Sequence, residues 1–262
     1  MSISEDLPAP AGVQSDGTLL SLRGITKTFG PVRALTDVDM DVQYGKVTAL
    51  IGDNGAGKSS LIKTVSGLWP PDSGSISWEG REVHLHGPRD SEALGVTTIY
   101  QDLALCDNLD IVQNMFLGHE PVSHGMLDES TMEIKARETL TELNVVTVRS
   151  VRQLVASLSG GQRQSVAVAK AVMSNAKLVI MDEPTAALGV AQTTMVLDLI
   201  KRLASRGVAV LVISHNLNDI FEVADRIAVL YLGRLVVEAP ASEFDRQSAV
   251  EYMTTGTVAR AA

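Results

Sequence analysis

Gly52-Asp53-Asn54-Gly55-Ala56-Gly57-Lys58-Ser59 fits the pattern G-x-x-x-x-G-K-[ST] in full. Glycines at these places let backbone amides turn inward and approach an oxyanion with no Cβ in the way. A helix starting at the lysine adds unpaired N–H groups and the positive end of its dipole. In such a loop Lys58 reaches the β- and γ-phosphates of a bound nucleotide, and the Ser59 hydroxyl completes a Mg2+ shell. Gly52 to Ser60 are thus candidate nucleotide-binding residues. A second group, Leu178-Val179-Ile180-Met181-Asp182-Glu183, is an apolar run ending in two carboxylates. Asp182 is expected near Mg2+, through water, and Glu183 is placed to activate the attacking water as general base. A third, Leu158-Ser159-Gly160-Gly161-Gln162, opens a helical run with a capping serine and two glycines that permit close approach to a phosphate. One nucleotide has one γ-phosphate, already held by the first loop, so this second anion site makes sense if it serves the nucleotide of a neighbouring copy.

These residues need a frame. Val47 to Ile51 is an almost uninterrupted β-favouring run, as expected of a strand covered on both faces, and the helical pattern from Lys58 to Leu68 follows the glycine loop. Leu19 to Phe29 alternates partially and reads as a half-exposed strand. Ser75 to Trp78, Glu79-Gly80 and Glu82 to Leu85 read as an edge hairpin. From about Asp102 to Leu158 apolar residues recur at helical spacing (Ile111, Met115; Ile134, Leu140, Leu143), which predicts a mostly helical insert. Helix and strand then alternate: Gln162 to Met173, Leu178 to Met181, Ala191 to Arg206, Val208 to Ile213. Ile227 to Leu230 and Leu235 to Glu238 flank a turn at Gly233-Arg234. The pattern predicts an α/β fold with a mainly parallel sheet core, an antiparallel β edge and a helical insert.

The chain has 262 residues, 45% hydrophobic and 20% charged, which suits a globular protein. A formal charge of −9 disfavours a non-specific grip on nucleic acid, and no nucleic-acid partner is expected. Cys106 is the single cysteine, so no intrachain disulfide or cysteine metal cluster can form. The longest clean apolar run, Val208 to Ile213, falls far short of the roughly 20 residues a membrane helix needs. Residues 1–17, rich in Ser, Pro, Ala, Gly and Asp, are expected to be a flexible tail rather than a signal peptide, leaving 18–262 as a single domain.

With these motifs in order, the chain resembles the ATP-binding subunit of ABC transporters from about Leu19 to Gly256. The resemblance implies a P-loop NTPase fold of the ABC ATPase type and assigns further roles. Phe29 matches the aromatic residue that stacks on adenine. Gln101, closing the strand Val96 to Tyr100, matches the glutamine that senses Mg2+ and the attacking water. Ser159 to Gln162 match the signature, Asp182-Glu183 the Walker B pair, and His215 the switch histidine at the γ-phosphate. After Asp182-Glu183-Pro184-Thr185, many members read Ser-Ala-Leu-Asp, whereas here Ala186-Ala187-Leu188-Gly189 follows, so Gly189 cannot supply the aspartate's contact across the dimer interface. Ile99 to Leu105, Asn114 to Gly118, Asp182 to Val190 and Ile213 to Leu217 resemble importers of simple sugars such as ribose, xylose and fructose.

The resemblance implies a homodimer, or a heterodimer with another ATPase subunit, at the cytoplasmic face of the membrane. It also implies permease subunits contacted by the insert, and indirectly a solute-binding protein. The alternatives are an importer of another small solute such as an amino acid, or a soluble ABC ATPase acting outside transport. The latter usually carries a second ATPase domain or coiled-coil insertions, features this chain does not show.

Overall fold

The strands buried at every position, Val47–Ile51 and Ala209–Ile213, lie in a different sheet from the strands that alternate. The computed structural model describes residues 17–145, 148–186 and 188–257. Residues 1–16 of the expected tail, and Ala187 of the run after Glu183, lie outside the described residues, whereas the Gly17 carbonyl accepts Tyr44 N–H at 2.9 Å. β1 (Thr18–Phe29), β2 (Val32–Gln43), β4 (Ser73–Trp78) and β5 (Arg81–Val83) form an antiparallel sheet in the order β2-β1-β4-β5. β3 (Val47–Ile51), β6 (Val96–Ile99), β9 (Leu178–Asp182), β10 (Ala209–Ile213), β11 (Arg226–Tyr231) and β12 (Arg234–Pro240) form a six-stranded sheet in the order β12-β11-β3-β10-β9-β6. All its pairings are parallel except β11 with β12.

β3 and β10 are buried at every position because both faces of this sheet are covered. Side-chain alternation then sorts their residues. Val47, Ala49 and Ile51 join the core beneath the helices, while Leu50 joins Leu20, Leu22, Ile25, Val38 and Met40 in the core shared with the antiparallel sheet. Each fully buried Leu or Ile contributes about 1.5–3 kcal/mol, so the central strands are the least deformable part of the molecule. The helices are α1 (Lys58–Val65), α2 (Pro88–Leu94), α3 (Ile111–Phe116), α4 (Glu129–Glu142), α5 (Gly160–Met173), α6 (Val190–Ser205), α7 (Leu217–Val223) and α8 (Arg246–Thr255).

Several expectations need correcting. The first helix ends at Val65 rather than Leu68, where Ser66 and Gly67 turn the chain. The turn between β11 and β12 is Leu232-Gly233, because Tyr231 pairs with Arg234. The insert holds α3 and α4 but also a small hairpin, β7 (Val122–Ser123) with β8 (Met126–Leu127). Ile134 is 57% exposed, since the buried stripe of α4 runs Met132, Ala136, Leu140 at i, i+4, i+8. Strand β2 escaped the sequence reading, although Val38-Asp39-Met40-Asp41-Val42 alternates as a half-buried strand does.

Within the insert, buried Asn114 holds the chain that follows Gln101. Its amide oxygen accepts from Cys106 N–H at 2.7 Å, and its NH2 donates to the carbonyls of Cys106, Asp110 and Leu109 at 3.0, 3.0 and 3.3 Å. Arg152 bonds to Asp110, Glu129 and Glu133 at 3.3, 3.0 and 3.0 Å, joining that segment to α4.

Candidate functional site

The glycine loop leaves the end of β3 and enters α1 directly. Gly52 has φ 158° and a Cβ there would stand 2.3 Å from the Leu230 carbonyl, so the first glycine is enforced by close backbone packing. Gly57 sits at φ 106° as the residue before the helix, and it offers no side-chain cap. Among the described residues, the amides of Gly55, Gly57, Lys58, Ser59 and Ser60 donate to no protein acceptor. A run of free N–H groups at a helix start with no acidic residue in its first turn fits a polyphosphate. Asp53 stabilises the loop from within, accepting Asn54 N–H on its carboxylate at 2.8 Å and Ala56 N–H on its carbonyl at 3.1 Å.

Lys58 Nζ donates to the Gly52 and Asp53 carbonyls at 2.7 and 3.0 Å, which poises the ammonium over the cradle. Burial pushes its pKa down, and the carboxylates of Glu183, Asp182 and Asp53 oppose that shift. The loop from Asn54 to Ser60 forms one side of a cavity of about 480 Å³. Val32, Arg33, Ala34, Leu232 and Gly233 form the other side. The sequence motifs did not single out these five, because they come from a strand start and a hairpin turn remote from the loop in sequence. The Arg33 guanidinium has no hydrogen-bond or ion-pair partner among the described residues.

Ser59, Gln101 and Asp182, the candidate metal residues, line a second cavity of about 230 Å³ together with Lys63, Tyr100 and Asp102. Three strands meet here. Ser59 follows β3 through the loop, Gln101 follows β6, and Asp182 closes β9. A hydroxyl, an amide oxygen and a carboxylate are hard donors suited to Mg2+. Among the described residues no group of three or more His, Cys, Asp or Glu could hold a metal ion alone. A cation held here must share its shell with phosphate and water, as Mg2+ ordinarily does. Burial first, and the Glu183 charge second, push the Asp182 pKa up, so this carboxylate lacks enough positive charge nearby.

Glu183 adopts φ 50°, an uncommon backbone conformation for a non-glycine residue. Its N–H donates to the Ile213 carbonyl at 2.8 Å, pinning the turn after β9 to the end of β10. Its carboxylate meets His215 Nδ1 at 2.8 Å. With the carboxylate ionised, Nδ1 carries the proton and donates. Thr185 Oγ1 donates to buried Asp219 on α7 at 2.6 Å and secures the chain just beyond. The structure therefore gathers Lys58, Ser59, Gln101, Asp182, Glu183 and His215 at the carboxyl ends of neighbouring parallel strands, where such folds place their chemistry.

Two candidates stand apart. Phe29 lines neither cavity, and its ring meets Trp69 edge-on at 4.6 Å between centroids. Ser159 to Gln162 line neither cavity as well. Ser159 caps α5 through a reciprocal box: Ser159 N–H donates to Gln162 Oε1 at 2.9 Å, and Gln162 N–H donates to Ser159 Oγ at 3.4 Å. A Cβ on Gly160 would stand 2.8 Å from Leu188, and one on Gly161 3.0 Å from Gln192 of α6. Gly189 has φ −74° and open space where a Cβ would sit, so the backbone does not require glycine there.

Over 243 residues, covering 90% of this chain and 94% of the relative, the sequence is 45% identical to the fructose import ATP-binding protein of Rhizobium meliloti. It is 44% identical over 237 residues to the xylose/arabinose import ATP-binding protein of Sulfolobus acidocaldarius, covering 90% of this chain and 94% of that one. The fold superimposes with a TM-score of 0.76 on an ATP-binding cassette of an ABC transporter solved in its ADP conformation, at 25% identity, covering 91% of this chain and 95% of the other. Residues 35–186 match the ABC transporter family, and the chain belongs to it.

Proposed function

We propose that this chain is the ATP-hydrolysing subunit of an ABC import system that drives uptake of a simple sugar through separate permease subunits. The observation that carries the reading is the Glu183–His215 pair at 2.8 Å beside the Lys58 cradle: a base and its orienting partner next to a triphosphate site. The sugar cargo is supported by the relatives, whose names specify fructose and xylose/arabinose import and whose whole length the chain nearly spans.

In this reading the free amides of Gly55, Gly57, Lys58, Ser59 and Ser60 and the Lys58 ammonium bind the phosphates of ATP. Ser59 and Gln101, with Asp182 acting through water, would hold Mg2+, which would neutralise charge on the phosphate oxygens. Glu183 accepts a proton from the attacking water, and His215 orients the Glu183 carboxylate while facing the γ-phosphate. Phe29 contributes to the adenine side once its contact with Trp69 yields. Ser159 to Gln162 complete the site of a second copy, so that charge-assisted hydrogen bonds to the γ-phosphate join two chains and are lost on hydrolysis. The domain spans 18–262, and its insert at about 102–158 carries the movement to the permease at the cytoplasmic face of the membrane. Among the described residues no helix is long and apolar enough to cross a membrane, which agrees with attachment through partners.

The test is affinity capture of the full chain from membranes, followed by ATP turnover of the captured complex. The expected result is a permease subunit, with turnover stimulated by a sugar-loaded binding protein. Stimulation by an amino-acid-loaded binding protein instead would overturn the cargo, and no ATP turnover at all would overturn the activity.

A further inference from the structure

The large cavity has a wall that the phosphate-binding motif does not contain. Val32, Arg33, Ala34, Leu232 and Gly233 face Asn54 to Ser60 across it, and all five lie outside the matched residues 35–186. Leu232 and Gly233 are the central residues of a two-residue hairpin turn, with φ 45° and 80°. Turns with both φ values positive favour Asn-Gly or Asp-Gly. Leucine lacks the short polar side chain that eases such a backbone, so its presence breaks a local rule.

The surroundings nevertheless hold the turn in place. Gly233 N–H donates to the Ala56 carbonyl of the phosphate loop at 2.8 Å, and the Gly233 carbonyl accepts Thr36 N–H from β2 at 2.8 Å. The strained residue is thus fixed relative to the cradle while its side chain stays 70% exposed. Local strain that its surroundings over-determine clusters at ligand contacts. Val32, on the same wall, is 61% exposed. Two exposed aliphatic side chains beside a row of free amides match a ligand that is anionic at one end and flat and weakly polar at the other. Phe29, the expected base-stacking residue, does not line this cavity.

We propose that Leu232 and Val32 form the nucleoside-contacting wall of the site, with Leu232 held in its left-handed conformation by the docking of its turn on the phosphate loop. This rests on the nucleotide-binding reading above. Leu232→Asn separates the effects, because asparagine suits the turn and removes the aliphatic surface. The full-length variant and parent are titrated at equilibrium with ATP and, separately, with inorganic tripolyphosphate, each with Mg2+, and are unfolded thermally without ligand.

The expected result is an unfolding midpoint equal to or above that of the parent, ATP affinity lower by about five- to tenfold, and tripolyphosphate affinity unchanged. Unchanged ATP affinity overturns the proposal and leaves the nucleotide reading standing. Equal losses for both ligands also overturn it, since they place the effect on the loop. A parent chain that binds no ATP overturns the underlying reading instead. Should Leu232→Asn fail to fold, Val32→Ser carries the same comparison: selective loss of ATP supports the wall, and undiminished ATP affinity removes it.

Discussion

At the start of α1 the residue before the helix is Gly57, left-handed at φ 106° and without a side-chain cap. At the start of α5 it is Ser159, extended at φ −68° and closed by a reciprocal box with Gln162. Both corners are glycine-rich and both open a helix, yet their glycines answer different demands. Around α1 they permit a backbone that no side chain tolerates, and the amides so exposed face a cavity. Around α5 they have no left-handed φ, and a Cβ would strike Leu188 or Gln192. The first corner presents unpaired backbone amides to a cavity within one chain. The second is a tightly packed helix start closed by its own side chains.

The largest effect is expected where the first corner meets the carboxylates. Glu183→Gln should lower the ATP turnover number by about 10²–10⁴-fold while ATP still binds. Turnover at the parent rate would remove Glu183 as the base. Gly57→Ala places a Cβ 2.6 Å from the Ala34 carbonyl in a left-handed conformation, which costs about 1–3 kcal/mol in backbone strain alone. Isothermal titration should show ATP binding severely weakened. Gly161→Ala is the counterpart at the second corner. Crowding against α6 should destabilise the fold by about 1–3 kcal/mol in denaturant unfolding, with ATP affinity of the isolated chain intact. If it weakened ATP as much as Gly57→Ala does, the separation of the two corners would fail.

Ser159→Ala should cost about 1 kcal/mol through loss of the cap, read in the same unfolding experiment. The smallest effect concerns Asp182, whose pKa is raised by burial and by Glu183. A carboxylate with a raised folded-state pKa binds its proton more readily folded than unfolded, so its contribution to stability falls as pH rises through that window. Without nucleotide and Mg2+, Asp182→Asn should therefore raise the thermal midpoint at neutral pH. A lower midpoint would show that Lys58 already compensates the charge.

Much of this was legible in the amino-acid order because the decisive signals are local. Burial of β3 and β10 on both faces shows as unbroken apolar runs, and the glycine loop shows as a fixed spacing before a helix. The box at Ser159 likewise needs only residues three apart. Strand β2 shows in the alternation from Val38 to Val42, which its acidic residues obscure. Ile134 lies off the buried stripe of α4, because helical spacing alone does not say which stripe faces the core.

By itself, then, the sequence determined the α/β class, the glycine loop, the carboxylate pair and the capped start of α5, all of them short-range consequences of backbone geometry and periodicity. Only the tertiary structure decided that Glu183 meets His215, that Ser59, Gln101 and Asp182 share one cavity, and that Val32 and Leu232 stand across from the loop. It also decided that Phe29 turns to Trp69. The physical reason is strand order: β3, β9 and β10 are distant along the chain, and only their parallel pairing in the sheet brings their carboxyl ends together.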